Sequence, residues 1–259
     1  MTSSESSSCR PSISFVVLAL NEEANIETTV KNVHEAVASG MVSDYEIILV
    51  NDGSTDATGR IMDDLARGNP KMKVLHNEKN LGLGGAYKRG ARATQCDYIL
   101  IVAGDSAMPV GDITLILEQL GKADVILPYL ANPALRPFGR RFGSATYTRV
   151  INFLFGLKVP YYNGMVPRRE MLSQITISAD SYAFQAEAVV KLLKGGCSSC
   201  DLALYDTPRG EGHSVALEPK RLVAVLRGVI NLYLEIKRPG GVSPLVGARS
   251  PAATHPATP

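Results

Sequence analysis

The chain has 259 residues, enough for one large α/β domain and too few for two full-sized ones with linkers. Apolar residues make up 45% of it, so a sizeable core can be buried, and 27 basic residues against 25 acidic ones give a formal net charge of +2. That balance excludes a general nucleic-acid binder, which carries a concentrated basic excess, and leaves room for local basic clusters that hold phosphates.

Met1 to Ser8 is polar and serine-rich, without the apolar stretch of a signal peptide. No run reaches the roughly 18 consecutive apolar residues of a membrane span. These features predict a cytoplasmic protein, with any work at a membrane done from its surface or through a partner subunit. Residues 1–11 and 239–259 are rich in Ser, Thr, Pro, Gly and Ala without apolar periodicity and are predicted to be disordered, leaving 12–238 as a single domain. Of the four cysteines, Cys197 and Cys200 have C-x-x-C spacing. They lack a second pair or nearby histidines for zinc and lead into an apolar run, so they read as a turn of small residues.

Ile13 to Leu20 is a nearly unbroken apolar run, the pattern of a strand buried on both faces. Asn21 is placed to cap a helix carrying Ile26, Val30, Val33 and Val37 at helical spacing. Tyr45 to Val50 reads as a second strand, followed by a helix with Ile61, Met62 and Leu65. Lys73 to Leu75 reads as a third strand, followed by a glycine-rich loop and a helix over Ala86 to Ala93. Tyr98 to Val102 and Val125 to Leu127 read as strands four and five, flanking a helix with Ile113, Ile116, Leu117 and Leu120. Helices over Arg140 to Phe155, Tyr182 to Leu193 and Leu222 to Ile236, and a short strand at Leu202 to Tyr205, complete the chain. Strand alternating with helix implies an open, mostly parallel sheet covered by helices. Ligands of such sheets sit outside the carboxyl ends of the strands, which selects the loops after Leu20, Val50 and Val102.

Loop one is Ala19-Leu20-Asn21-Glu22-Glu23 and loop two Val50-Asn51-Asp52-Gly53-Ser54-Thr55-Asp56. An acidic residue at a strand end can accept hydrogen bonds from a base or ribose, and a Gly-Ser turn lets backbone approach a ligand; ordinary turn and cap chemistry explains the same residues. Loop three, Val102-Ala103-Gly104-Asp105-Ser106, presents a carboxylate that either caps the next helix or, with substrate phosphates and water, holds Mg²⁺ or Mn²⁺. Asn80-Leu81-Gly82-Leu83-Gly84-Gly85 is neither a dinucleotide fingerprint, since Tyr87 stands where the third glycine belongs, nor a Walker loop. Its glycines suit close helix packing and backbone approach to a donor.

Leu18-Ala19-Leu20-Asn21-Glu22-Glu23, Leu49 to Asp56 and Asn77 to Gly85, in this order and spacing, resemble the family 2 glycosyltransferases of the GT-A fold. Tyr161 to Met165, Tyr182 to Glu187 and Arg209 to Ser214 resemble the second half of the polyprenol-phosphate sugar transferases, the dolichol-phosphate mannose synthase group; the likeness covers roughly Ser12 to Arg238. It implies that Leu20, Asn21, Glu22, Asp52 and Ser54 line the donor's base and ribose, with Gly82 and Gly84 close by. Asp105 matches the second aspartate of the family's D-x-D metal motif and is the expected ligand of Mg²⁺ or Mn²⁺. Arg136, Arg140, Arg141 and Ser144 are expected to handle donor and acceptor phosphates, and Asn163, Gln185 and Glu187 to face the acceptor. Arg209 and Ser214 are expected to close over the diphosphate. Asp105, Arg140 and Arg209 are the expected catalytic groups. Three positions depart from the pattern: Ala103 replaces the first aspartate, Ala107 a following glutamine and Tyr129 an arginine.

The resemblance implies an inverting transfer of a hexose from a GDP- or UDP-linked donor to a polyprenyl phosphate, on the cytoplasmic membrane face. A phosphomonoester, with a second pKa of about 6, is already an anionic nucleophile, so the demand falls on arginines that orient two anions; Arg168 and Arg169 are further candidates. The alternatives are a transferase acting on a soluble acceptor and a degenerate protein that binds nucleotide-sugar without turnover, which Ala103 and Ala107 favour. A sugar nucleotidyltransferase would carry a glycine-rich loop with Arg and Lys after the first strand, where this chain has Asn-Glu-Glu.

Overall fold

The computed structural model describes residues 10–132, 138–160, 164–181, 183–205, 219–238 and 240–249, with backbone alone for 138, 140 and 219–224. Four parallel strands form its first sheet: β1 (Ile13–Ala19), β2 (Tyr45–Asn51), β3 (Met72–His76) and β4 (Tyr98–Ala103), in the order β3-β2-β1-β4. The helices between them are α1 (Ile26–Val37), α2 (Thr58–Ala66) and α3 (Gly82–Arg92). After β4 come α4 (Val110–Leu117), β5 (Val125–Leu130) and α5 (Phe138–Phe155). Then follow β6 (Val166–Pro167), α6 (Arg169–Ser173), α7 (Ala183–Lys194), β7 (Ser199–Leu204) and α8 (Pro219–Lys237). A second sheet, β6-β5-β7, pairs β5 parallel to β7 and antiparallel to β6. A bridge between Tyr98 and Arg168 joins the edges of the two sheets.

The sheet is sandwiched between two apolar layers, and β1 feeds both. All seven of its residues are buried. Ile13, Phe15, Val17 and Ala19 pack towards α1 and α4, while Val16 and Leu18 pack towards the layer of α3, α5, α7 and α8. This is the period-2 alternation of a strand, with both faces covered. Its one polar side chain, Ser14, is fully buried and donates to Glu46 Oε1 at 2.6 Å. The predicted strands and helices are all present, most extended by a few residues. Beyond them the structure adds β6 and α6, of two and five residues, which are too short to show a period.

Two expectations are corrected. Asn21 does not cap a helix: its φ is +57°, and α1 begins only at Ile26, with Asn25 at the N-cap position. Asparagine suits both roles, because its short amide tolerates the left-handed conformation as well as a cap. The predicted disordered tail is also in part docked, over residues 240–249. Leu245 N–H donates to the Gly195 carbonyl at 2.9 Å, Val246 N–H to Gln174 Oε1 at 2.8 Å, and Arg249 N–H to Asp124 Oδ2 at 2.8 Å.

Asp124 is the hub of that corner. It is fully buried and accepts from Ser198 N–H at 3.0 Å and Ser198 Oγ at 2.8 Å, with Arg168 Nη1 at 3.4 Å and Arg249 Nε at 4.0 Å. The C-x-x-C segment is not the predicted turn: it follows a turn at Gly195 and Gly196 and enters β7 at Ser199, with Ser198 holding Asp124 and Cys197 a buried free thiol whose pKa burial pushes up to about 12. Since the thiolate is the reactive form, Cys197 is expected to resist alkylation by iodoacetamide in the folded protein and to react once it is unfolded in urea, as mass spectrometry of labelled peptides would read. Asp124→Ala leaves two guanidinium groups without their buried partner and is expected to cost about 3–5 kcal/mol, measured by urea unfolding; a loss under 1 kcal/mol would show that the hub is dispensable.

Candidate active site

The site is built by register. β1 pairs β2 as Ala19 with Asn51, and β4 as Leu18 with Ala103. One residue further on, Asp52 N–H still donates to the Ala19 carbonyl at 2.9 Å and Gly104 N–H to the Leu18 carbonyl at 2.8 Å. Loops one, two and three thus leave the sheet side by side at its carboxyl edge.

Loops one and two are interlocked. Asn21 N–H donates to Ser54 Oγ at 3.0 Å, and Asn21 Oδ1 accepts from Thr55 N–H at 2.9 Å. Glu22 N–H donates to Thr58 Oγ1 at 2.8 Å, and Glu23 Oε2 accepts from Ala57 N–H at 2.9 Å. Glu22 holds Asn25 Nδ2 through Oε2 at 2.8 Å. The Thr58 hydroxyl donating to Asp56 keeps that carboxyl below its usual range. A lowered folded-state value means its contribution is present above the ordinary carboxylate range and is lost on acidification. Leu20 is 40% exposed on the rim.

Asp52 is buried and faces β3. Its Oδ1 accepts from Asn77 Nδ2 at 2.7 Å and from Leu81 N–H at 2.9 Å, which fixes the β3–α3 loop. Gly53, at φ +79°, lies against that loop so closely that a Cβ would come within 2.8 Å of Lys79 C and Asn80 N. Asn77 in turn bonds Arg89. Neither Asn77 nor Arg89 was singled out from sequence as a site residue, although Asn77 opens one of the quoted motifs.

Asp105 stands on the other side of β1. It is exposed, and its Oδ1 accepts from Ala107 N–H at 3.0 Å, an Asx turn rather than a cap, since α4 begins only at Val110. The turn is anchored from α1: Thr29 Oγ1 donates to the Gly104 carbonyl at 2.9 Å and accepts from Ser106 N–H at 3.0 Å. β2 and β4 are both neighbours of β1, so the Asp52 and Asp105 backbones are two strand spacings apart, roughly 10 Å. Glu22, Asp52 and Asp105 therefore share an edge without forming one cluster. Among the described residues no three His, Cys, Asp or Glu side chains converge to hold an ion.

The glycine loop serves packing. Gly84 N–H donates to the Asp180 carbonyl at 2.9 Å, and a Cβ on Gly84 would lie 2.6 Å from the Ala179 carbonyl oxygen; one on Gly82, at φ +75°, would lie 3.1 Å from Asp180 O. The side of each glycine that a Cβ would occupy is filled by the 179–180 backbone. That segment is held by Glu187, which accepts from Ser178 N–H at 2.9 Å, Ala179 N–H at 2.8 Å and the buried Lys191 Nζ at 2.8 Å. Both Glu187 oxygens are thus engaged by protein, which assigns it a positioning task in place of the acceptor contact expected from sequence. Gln185 is buried nearby, and its Oε1 has no partner among the described residues.

On α5, Arg141 is exposed and Ser144 half-buried. Arg136, Asn163, Arg209 and Ser214, and the side chain of Arg140, lie outside the described residues. Arg168 and Arg169 sit beside the start of β4, at the amino edge, and so do not join this site. A cavity of about 790 Å³ also opens at that amino edge, lined by Arg10, Asp97, Tyr98, Arg168 and Arg249. It lies away from the loops described above.

Residues 14–168 match the sequence profile of the family described as Glycosyl transferase family 2. The chain belongs to this family. It is 28% identical over 213 residues to a polyprenol monophosphomannose synthase of Mycolicibacterium smegmatis, covering 77% of this chain and 78% of that protein. A dolichyl-phosphate beta-glucosyltransferase of Trichomonas vaginalis is 33% identical over 112 residues, 42% of this chain and 32% of that one, so the likeness spans about a third of that relative's length. Among solved structures, the glucosyl-3-phosphoglycerate synthase of Mycobacterium tuberculosis superimposes with a TM-score of 0.61 at 18% identity, covering 86% of this chain and 80% of that one. Its complex with Mn²⁺, uridine diphosphate and phosphoglyceric acid gives 0.59 at 20% identity, covering 86% and 78%. The fold is the GT-A fold expected from the sequence.

Gly84→Ala forces a methyl group against carbonyl backbone that cannot rotate away, and is expected to destabilise the protein by about 1–3 kcal/mol, read by thermal unfolding. Asp52→Ala strands the Asn77 amide and the Leu81 N–H, each worth about 1–3 kcal/mol; hydrogen exchange at residues 77–82 should accelerate while that of β1 stays slow. Unchanged exchange in this loop would refute the clamp.

Proposed function

We propose that this protein moves a hexose from a nucleoside-diphosphate sugar to a polyprenyl phosphate, with inversion at the anomeric carbon. The observation that carries the reading is the division of labour along one edge. Loops one and two form a wall clamped by Asp52 to the 77–81 loop, and the exposed Asp105 lies across β1 from Asp52, two strand spacings or roughly 10 Å away along the backbone. Such a span suits a nucleoside diphosphate laid across β1, with base and ribose against Leu20, Asn21, Glu22 and Ser54 and the diphosphate towards Asp105. The polyprenol monophosphomannose synthase, matched over most of both chains, supports the acceptor class.

Asp105 fits a hard divalent cation. Its carboxylate is exposed, one oxygen is engaged in the Asx turn, and Mg²⁺ or Mn²⁺ is commonly held by one or two carboxylates with substrate phosphates and water. Such an ion supplies charge neutralisation on the departing diphosphate. The chain's own residues orient: Thr29 fixes the turn that aims Asp105, and the interlocked loops hold the donor's nucleoside. The arginines of the α5 region, Arg136, Arg140 and Arg141, and the late-loop Arg209 and Ser214, are assigned to phosphates on the sequence pattern. Attack by the acceptor phosphate oxygen forms the new C–O bond as the bond to the diphosphate breaks, and the nucleoside diphosphate takes the electron pair.

A second reading, a binder without turnover, is favoured by Ala103 at the exposed end of β4, where the motif has a carboxylate. The two are separated by assaying nucleoside diphosphate release from UDP- and GDP-linked hexoses with polyprenyl phosphate, with and without Mn²⁺. Release that needs the acceptor, and that falls about a hundredfold or more in kcat/KM in Asp105→Ala, supports transfer. Donor binding by calorimetry with no release under any condition would establish the binder. A product that keeps the donor's anomeric configuration would overturn the single displacement.

A further inference from the structure

The molecule's positive charge is unevenly placed. Residues 138–155 and 219–238, which are α5 and α8 with the following Arg238, contain eight of the 27 basic residues and one of the 25 acidic ones. The remainder of the chain therefore carries 19 basic and 24 acidic residues and is net negative. The single acidic residue of the pair, Glu235, is engaged by the buried Lys191 Nζ at 2.8 Å, so it does not offset the arginines around it.

The same two helices carry most of the large apolar side chains left outside the core. On α8, Leu226, Ile230 and Leu234 recur every fourth residue and are 54%, 58% and 53% exposed. They run alongside the buried stripe of Val229 and Leu232 that attaches the helix to the core. On α5, Phe153 is 87% exposed and Val150 44%, opposite the buried Ile151 and Phe155. The helices are packed together, with Phe155 and Tyr233 rings edge to face at 6.2 Å. Arg149, Arg227, Lys237 and Arg238 are exposed among these apolar residues. No helix among the described residues is long and apolar enough to cross a membrane. An exposed apolar stripe bordered by cations, on a helix too polar to span, is the composition of a helix lying in a membrane interface.

We infer that the outer faces of α5 and α8 dock the protein on an anionic membrane surface, with Ile230, Leu234 and Phe153 entering the headgroup region and Arg149, Arg227 and Arg238 meeting acidic lipids. The inference rests on the reading above that the acceptor is a lipid phosphate, and it names the surface by which the protein reaches it. Charge complementarity selects an anionic leaflet over a second copy of the chain, because two copies joined by this face would bring like charges together. Basic residues near such a leaflet add attraction that salt screens.

Flotation of the full chain with vesicles tests this. The wild type is expected to float with phosphatidylcholine–phosphatidylglycerol vesicles, not with phosphatidylcholine alone, and to float less at high salt. Ile230→Glu combined with Leu234→Glu removes two partly buried anchors and should weaken partitioning roughly a hundredfold or more, while Arg227→Glu should weaken it less and flatten the salt dependence. These side chains are more than half exposed or charged, so unchanged circular dichroism and an unchanged thermal midpoint are expected alongside. Transfer to polyprenyl phosphate in detergent micelles should be equal in wild type and double variant, and transfer to the same lipid in vesicles should fall in the variant alone. A wild type that fails to float with anionic vesicles, or a double variant that floats as well as the wild type, overturns the inference. So does light scattering that shows a wild-type dimer broken by the double variant without vesicle binding. Flotation that behaves as expected without transfer in micelles supports the docking surface and removes the lipid acceptor instead.

Discussion

The carboxyl edge depends on one constraint: β1 is paired in parallel register on both sides, with β2 and with β4. Because the three strands end at the same level, the residues that follow them emerge together, and each neighbouring loop is still tied to β1 by one further backbone hydrogen bond. A one-residue slip of β1 would invert its two apolar faces. It would also displace Asn21 from Ser54 and Gly104 from Thr29. The chemistry of the edge is therefore coupled to the core: the packing of Val16 and Leu18 on one side, and of Phe15 and Val17 on the other, fixes where the loops stand.

Polar side chains around this edge are spent mainly on holding backbone. Asp52, Thr58, Thr29 and Glu187 each satisfy main-chain or amide groups of a neighbouring loop, which is how irregular segments become rigid without a sheet or helix of their own. Buried carboxylates recur in this task, Asp52 and Glu187 near the carboxyl edge and Asp124 in the opposite corner. The exposed Asp105 is the contrast. It is held by its own turn and keeps its carboxylate exposed at the edge.

The fold was largely legible because the first half of the chain states it twice, once as apolar runs ending in turn residues and again as helical spacing between them. The family motifs then placed the loops. Other features carried no such signal. Asn21 has a residue type that satisfies a cap and a left-handed turn equally, and only the chain path decides between them. Glu187 lies in a motif expected to face the acceptor, yet its position on a nearly all-buried helix commits it to Ser178, Ala179 and Lys191. Glu22, Asp52 and Asp105 follow strands that end at one edge, yet that shared edge does not bring the three carboxylates to one point. Neighbouring strands separate residues by several ångströms even in perfect register. The docked segment 240–249 is held by isolated anchors, Leu245, Val246 and Arg249, with neither period nor propensity to announce them.

That last segment has a consequence for how the polypeptide matures. Asp124 is laid down in the middle of the chain, but one of its two guanidinium partners and one of its backbone donors arrive with Arg249, more than a hundred residues later. A nascent chain emerging from the ribosome can zip its first sheet early, yet Asp124 lacks these partners until residue 249 has been made. A cut before residue 249 would therefore strip the buried carboxylate of both, so a fusion partner or truncation point belongs beyond it.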